Sequence, residues 1–328
     1  MSSAPLHVRL IGGVSLGATG LLGLGCNLLL LFIFVTNFNS IRRTAFIVVA
    51  WQMIIGDLMV ILTQLTIAVP VTFAGHTIFR QEIIEASLST LDTLGFLCNM
   101  YFAFTLILNR FTIFCTPRIN EILFGRVSVY VSVGCVWTIL ISRVIFVFGS
   151  KCWKTFSPEG FFFTTTCQNN TNSFALYLHM STKYESYVIP AAMFVLYVIV
   201  LLRIHVGVKF KLAIKQMSIR KRNIERKLLI QSILMCGALQ LETIAFSFFK
   251  KLGLEGNAYF YVNFFQNACI ILNSSVHPIV LFIFNSDVRS GLFGLVKSSA
   301  SVQPFSGMHT SSQRPYTFSR YRRESNFS

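Results

Sequence analysis

The sequence predicts an all-α membrane protein, a bundle of seven transmembrane helices with its N-terminus outside the cell and its C-terminus in the cytoplasm. Composition is the first reason: 54% of the 328 residues are hydrophobic and only 12% are charged, about half the charged share of soluble domains. The second reason is that the apolar residues gather in seven long runs. The third is that Lys and Arg concentrate in alternate gaps between those runs, the pattern that sets orientation in a membrane.

The seven apolar runs are too long to be barrel strands, so each is predicted to be a helix. They lie near 10–36, 44–73, 87–115, 127–149, 186–208, 228–250 and 258–284. Backbone groups in lipid need partners within a helix or a closed barrel, and a barrel strand needs only about 9–11 residues. The first run is uncharged and has no clear cleavage site, which indicates a retained span rather than a signal peptide. The chain therefore divides into an external N-terminus (1–9), a seven-helix domain (10–284) and a basic cytoplasmic tail (285–328).

The orientation follows from the basic residues of the predicted internal segments. The gap between spans five and six is the richest, with Lys209, Lys211, Lys215, Arg220, Lys221, Arg222, Arg226 and Lys227. The positive-inside rule places this side of the bundle in the cytoplasm. The net charge of +16 does not predict nucleic-acid binding, because the basic residues lie in short gaps rather than on one face of a soluble domain.

The longest predicted external loop carries two cysteines and a glycosylation sequon. Cys152 and Cys167 share this loop, and the sequon begins at Asn169. An oxidising compartment permits a disulfide, and no other external cysteine competes for either partner. We therefore predict a Cys152–Cys167 disulfide, with two unpaired thiols as the alternative, and glycosylation of Asn169.

Asp57, in the middle of span two, is a candidate functional residue because a charge in lipid is costly. Asn27 in span one and Asn273 in span seven are its candidate polar neighbours. We predict a buried polar hub that links these three spans through water or a sodium ion. His277 is predicted to hydrogen-bond a neighbouring helix rather than to bind a metal, since no second ligand is near in sequence.

Three further charges lie in the outer or middle parts of other spans: Asp92, Arg143 and Glu242. We expect them to line a ligand cavity. The alternative is that Asp92 or Glu242 neutralises Arg143 in a structural ion pair, because buried charges usually take a partner.

The landmarks together resemble a known superfamily. Asn27, Asp57, Arg110 in "NRF", Trp137, Pro190 and "NSSVHP" (273–278, with Pro278) resemble the anchors of rhodopsin-like G-protein-coupled receptors, in order and one per span. The segments "AVPVTF" and "LILNRFTIFCTP", together with the paired external cysteines, resemble the nematode serpentine chemoreceptors, most nearly serpentine receptor class x. The resemblance covers residues 18 to 290.

The resemblance implies a chemosensory receptor rather than an enzyme, without a cofactor. It implies a small-molecule ligand in the outer half of the bundle, such as an odorant or pheromone-like molecule. It also implies a heterotrimeric G protein at the inner end, and residence among membrane lipids in the plasma membrane, including sensory cilia. A transporter or channel, and an amine or neuropeptide receptor of the same fold, are the alternatives. A retinal photoreceptor is disfavoured because residues 258–284 contain no lysine for a Schiff base.

Arg110, at the inner end of span three, is predicted to couple the receptor to its G protein. Its neighbour is Asn109, where the superfamily usually has an acidic residue, so the restraining charge must come from elsewhere. Glu225 is the lone acid of the basic third internal segment and is the candidate partner. We predict a two-state Arg110–Glu225 latch; the alternative is that Arg110 only anchors the helix at the interface. Pro117 is expected to end the helix.

Overall fold

The computed structural model describes residues 4–36, 45–167, 173–211, 219–249, 255–285 and 288–293. Its helices and strands are α1 (Leu6–Thr36), α2 (Ala45–Thr63), α3 (Val69–Ala74), α4 (Glu82–Cys115), α5 (Pro117–Phe124), α6 (Ser128–Gly149), β1 (Cys152–Ser157), β2 (Phe162–Cys167), α7 (Ser173–Lys211), α8 (Ile219–Phe249) and α9 (Asn257–Phe284). Six spans are long and strongly apolar, with α2 and α3 together forming one, and α8 has a shorter apolar stretch, Ile233–Phe246. The predicted seven-helix bundle is confirmed.

Several helices begin before the apolar runs that predicted them. α7 begins at Ser173 and α8 at Ile219, whereas the runs begin near 186 and 228. Hydropathy reports only the part of a helix that faces lipid. Polar residues extend these helices beyond that part, because each added residue gains one more backbone hydrogen bond.

Span two is a single helix interrupted by a π-helical turn. The turn, Gln64–Ala68, joins α2 to α3, and the backbone N–H of Val69 bonds the carbonyl of Gln64. Pro70 follows directly and cannot donate to the regular hydrogen-bond ladder, which accounts for the local widening. α3 ends at Gly75 in the left-handed conformation (φ 72°), and Arg9 of α1 donates to the carbonyl of Ala74 at 2.6 Å.

A β-hairpin, which the sequence did not predict, closes one end of the bundle. β1 and β2 are antiparallel, with Cys152 opposite Cys167, and these two cysteines form a disulfide. The predicted pairing is confirmed. We call this end of the bundle the hairpin end and the end that carries α5 the opposite end.

The hairpin is inserted into the bundle rather than lying on it. Phe156 and Phe161 near its tip are fully buried, and the Phe161 ring lies 5.0 Å from that of Phe264 on α9. Two amides of α9 hold the turn, because Asn263 donates to the carbonyl of Gly160 and Asn267 to that of Phe161, both at 2.7 Å. The hairpin therefore forms part of the core at this end.

α2 and α4 approach closely at a pair of glycines. A Cβ atom on Gly95 would lie 2.6 Å from the backbone oxygen of Gly56, and one on Gly56 would lie 2.6 Å from the side-chain oxygen of Asn99. Small residues allow such an approach between membrane helices. It brings Asp57, the residue after Gly56, beside α4.

α6 is the least enclosed of the spans. Among its residues only Val129 and Leu140 are buried, while apolar side chains such as Val131, Ile139 and Ile145 face outward. In a chain with these long apolar helices, an apolar surface that faces outward is expected to contact lipid.

Candidate functional site

A cavity of about 610 Å³ opens at the hairpin end between the hairpin, α4, α8 and α9. We call it the hairpin cavity. Aromatic and aliphatic side chains dominate its wall, with one ion pair and a few amide and hydroxyl groups among them. Its lining residues are Asp92, Lys154, Phe162, Phe163, Thr165, Phe246, Phe249, Tyr259, Val262, Asn263, Gln266 and Ile270. Size and lining are those of small-molecule sites, which are mostly apolar and have few polar groups.

The ion pair of this cavity joins the hairpin to α4. The ammonium group of Lys154 on β1 lies 2.5 Å from the Asp92 carboxylate, and the side chains are 20% and 8% exposed. The same ammonium lies 4.9 Å from the centre of the Phe163 ring. Lys154 lies between Cys152 and Cys167 in the predicted external loop, and nothing in its spacing indicates that this loop folds into the bundle.

Glu242 lies behind the cavity wall and is bonded to span seven. Its carboxylate accepts a hydrogen bond of 2.7 Å from the Asn273 amide, and both side chains are buried. Phe246 and Ile270, which line the cavity, lie about one helical turn from Glu242 and Asn273. Asp92 and Glu242 are therefore brought to the same region.

Arg143 lies apart from these two acids. Its guanidinium forms an ion pair of 2.6 Å with Glu185 on α7 and donates to the Leu178 carbonyl and the hydroxyls of Ser181 and Thr182. Its partner is thus neither Asp92 nor Glu242. Glu185 directly precedes the fifth apolar run, so the sequence gives no sign that it faces Arg143.

Arg143 and Lys154 also border a second, much smaller cavity. It has a volume of about 50 Å³, lies between α4, α6, α7 and the hairpin, and includes His179 and Thr182 among its lining residues. Lys154 therefore separates this space from the hairpin cavity, while Arg143 contacts only the smaller one.

Asp57 lies at the centre of a buried polar cluster, which we call the Asp57 cluster: Asp57, Asn99 and His277. Asn99 donates to one carboxylate oxygen at 2.8 Å, and the His277 Nδ1 lies 2.6 Å from the other. The cluster joins α2, α4 and α9, so the predicted link between spans two and seven also includes span three. Both Asp57 oxygens therefore have a side-chain partner, and the predicted sodium ion or water beside Asp57 stays a prediction.

The two asparagines expected beside Asp57 bond elsewhere. Asn27 donates to the backbone carbonyls of Gly23 and Ser274, each at 3.0 Å, and so ties α1 to α9. Asn273 faces Glu242. Among the hydrogen bonds of the described residues, neither asparagine donates to Asp57.

Arg110 is buried at the opposite end of the bundle. Its guanidinium carbon lies 5.0 Å from the centre of the Phe46 ring at the start of α2. Next to it, the Asn109 amide donates to the side chain of Asn120 at 3.2 Å, and the Thr112 hydroxyl donates to the same oxygen at 3.0 Å. α4 ends at Cys115 and Pro117 begins α5, so the proline ends one helix and starts the next.

Two of the predicted residues cannot be placed by their side chains. Glu225 belongs to α8, but its side chain lies outside the described part of the chain, and Asn169 lies wholly outside it. Pro278 lies inside α9, which continues through it to Phe284.

The arrangement defines a class of protein: a seven-helix membrane bundle with a ligand-sized cavity at one end and a buried arginine at the other. Its fold is similar to that of squid rhodopsin, with a TM-score of 0.69 and 15% sequence identity over 93% of this chain and 90% of that chain. A comparison with curated proteins finds no match.

The family model for serpentine type 7TM GPCR chemoreceptor Srx matches residues 18–285. The chain belongs to this family and is a G-protein-coupled chemoreceptor. The resemblance drawn from the sequence motifs is confirmed.

Proposed function

We propose that this receptor converts the binding of an external small molecule in the hairpin cavity into activation of a heterotrimeric G protein at the opposite end of the bundle. The observation that carries the proposal is a continuous connection along α9. Its Asn273 bonds Glu242 behind the cavity wall, and its His277 bonds Asp57 deeper in the bundle. A ligand that shifts α8 against α9 therefore also acts on the Asp57 cluster.

In this proposal Asp92 and Glu242 are the charged residues of the ligand site. Asp92 lines the hairpin cavity directly, and Glu242 sets the position of the α8 aromatic side chains through its bond to Asn273. Arg143 acts indirectly, because its bonds to Glu185 and to Thr182 hold α6 against α7.

Coupling is assigned to Arg110 and the residues around it. An arginine buried beside Phe46 can turn outward when the helices separate, because its long side chain reaches the interface from within the bundle. The Asn109–Asn120 bond fixes α5 next to it, so a G protein that meets Arg110 also meets α5.

The receptor is proposed to lie in the plasma membrane of a sensory neuron and its cilia. In the proposed orientation the hairpin end of the bundle faces the outside of the cell. The disulfide supports this side, since disulfides persist in oxidising compartments. Glycosylation of Asn169 tests it: a glycosidase-dependent mobility shift is expected for the natural chain and is expected to be lost in Asn169→Gln. A shift that persists in Asn169→Gln would place the carbohydrate elsewhere.

The functional test is a ligand screen in cells that express the receptor with a calcium or cAMP readout. Arg110→Ala provides the coupling-deficient control, and Arg80→Ala, an exposed arginine just before α4 that does not line the hairpin cavity, provides a matched substitution that should respond normally. A response that depends on Arg110 supports the proposal. A response of equal size in both variants and in untransfected cells counts against it.

A further inference from the structure

Lys154 is a cation already bound in the proposed ligand site. Its ammonium group contacts the Asp92 carboxylate at 2.5 Å and lies over the face of Phe163. A carboxylate together with an aromatic face is the environment that proteins use to bind organic ammonium groups. The wall of the hairpin cavity therefore already binds one positive charge, that of Lys154.

The two members of the ion pair differ in how easily they can separate. Asp92 has a short side chain on α4 and is 8% exposed, whereas Lys154 is 20% exposed and carries its charge on a flexible four-carbon stem. If the pair separates, Lys154 can move its ammonium toward water. Asp92 cannot follow, because its carboxylate is fixed to the helix and buried.

This asymmetry decides which ligand charge is favoured. An anionic ligand that took Lys154 would leave Asp92, 8% exposed, without its counter-ion, which is strongly unfavourable. A cationic ligand that took Asp92 would release Lys154 into solvent at little cost. The aromatic side chains of the wall, Phe162, Phe163, Phe246, Phe249 and Tyr259, then surround the ligand's apolar body and its ammonium group.

We propose that Lys154 acts as a tethered competitor at Asp92, and that the ligands of this receptor are organic ammonium ions with an aromatic or apolar body that displace it. The inference rests on the proposed function only in taking the hairpin cavity as the ligand site. Lys154 is then a specificity-determining residue. A neutral molecule gains no ion pair with Asp92, and a cation that binds the cavity weakly does not displace Lys154 from Asp92.

The test uses purified full-length receptor in nanodiscs of neutral lipid and three probes that share an indole ring. Tryptamine carries an ammonium group, tryptophol a hydroxyl and indoleacetate a carboxylate. Thermal unfolding is measured against the concentration of each probe, so no G protein or signalling step is needed. A receptor that does not signal can therefore still be tested for ligand binding in this way. If the binding prediction is wrong, the proposal that Arg110 couples to a G protein is unaffected.

Tryptamine is expected to raise the unfolding midpoint more than tryptophol, and indoleacetate not to raise it. In Lys154→Met the concentration of tryptamine for half-maximal stabilisation should fall about tenfold, because the competitor no longer reduces the fraction of receptor able to bind. Lys151→Met, an exposed lysine on the same loop, should leave the tryptamine curve unchanged. Equal stabilisation by tryptamine and tryptophol, or stabilisation by indoleacetate that is lost in Lys154→Met, overturns the proposal.

A second variant covers the case in which Lys154→Met does not fold, since it leaves Asp92 without its partner. The double variant Asp92→Asn with Lys154→Met removes both charges and keeps the shape of the wall. It should bind tryptophol as the natural chain does and lose the preference for tryptamine. A double variant that keeps this preference places the cation site elsewhere and also overturns the proposal.

Discussion

Asn273 and His277 lie one helical turn apart on α9 and bond carboxylates on two different helices, Glu242 of α8 and Asp57 of α2. The first contact lies behind the hairpin cavity and the second within the Asp57 cluster. Because a helical turn is stiff, displacement of one contact along α9 is transmitted to the other.

Asp57→Asn should reduce the agonist response while surface expression stays close to that of the natural chain. The amide has the same shape, but it removes the charge that faces His277 at 2.6 Å, and charge-assisted bonds are about twice as strong as neutral ones. Concentration–response curves normalised to surface antibody binding measure the effect. Unchanged signalling at normal expression would show that the cluster has only a structural role.

Arg110→Ala is expected to abolish G-protein activation without abolishing ligand binding. The guanidinium is buried beside Phe46 at the opposite end of the bundle from the hairpin cavity, so we expect its loss to act at that end alone. Nucleotide exchange on a purified G protein, measured beside ligand binding to the same sample, separates the two effects. A well-expressed variant that activates the G protein normally would leave Arg110 as a helix anchor only.

Glu225→Gln should raise basal signalling if Glu225 restrains Arg110 at rest. The substitution removes the charge of the latch and keeps the side chain's shape. The measurement is ligand-independent cAMP or calcium signal per receptor at the surface, with Glu82→Gln, an exposed acid in the first turn of α4, as the matched control. Basal activity equal to that of the control would exclude the latch and leave the Arg110 prediction unaffected.

Glu185→Gln should lower the stability of the receptor and leave agonist potency per receptor unchanged. The change leaves the Arg143 guanidinium, 9% exposed, without its charged partner, and leaving a buried donor without its acceptor costs about 1–3 kcal/mol. The unfolding temperature in detergent and the potency at matched surface density are the two readouts. A large loss of potency at normal stability would return Arg143 to the ligand site.

The spans and their landmarks could be predicted because each depends on local chemistry. Long uncharged runs must become helices in lipid, and a buried charge such as Asp57 or Glu242 stands out in such a run whatever its neighbours are. The cysteine pair was also predictable, since Cys152 and Cys167 had no external competitor.

The partners of these charges depend on how the helices are rotated, and a single sequence does not contain that information in a readable form. Asn99 reaches Asp57 because Gly56 and Gly95 let α2 and α4 approach. Glu185 reaches Arg143 because α7 begins well before its apolar run. The hairpin was missed for a related reason: its tip is stabilised by Asn263 and Asn267, which are more than a hundred residues away in the chain.

The exposed surface of α6 affects which substitutions this helix can tolerate. Only Val129 and Leu140 of α6 are buried. At most other positions the side chain therefore has to suit the surrounding lipid rather than the shape of a neighbouring helix. In a saturation mutagenesis library, Val131, Ile139 and Ile145 should accept almost any apolar residue and reject charged ones, while Leu140 should reject both larger and smaller replacements. Sequence drift in this receptor should therefore accumulate along the exposed positions of α6 without touching the hairpin cavity or the surroundings of Arg110.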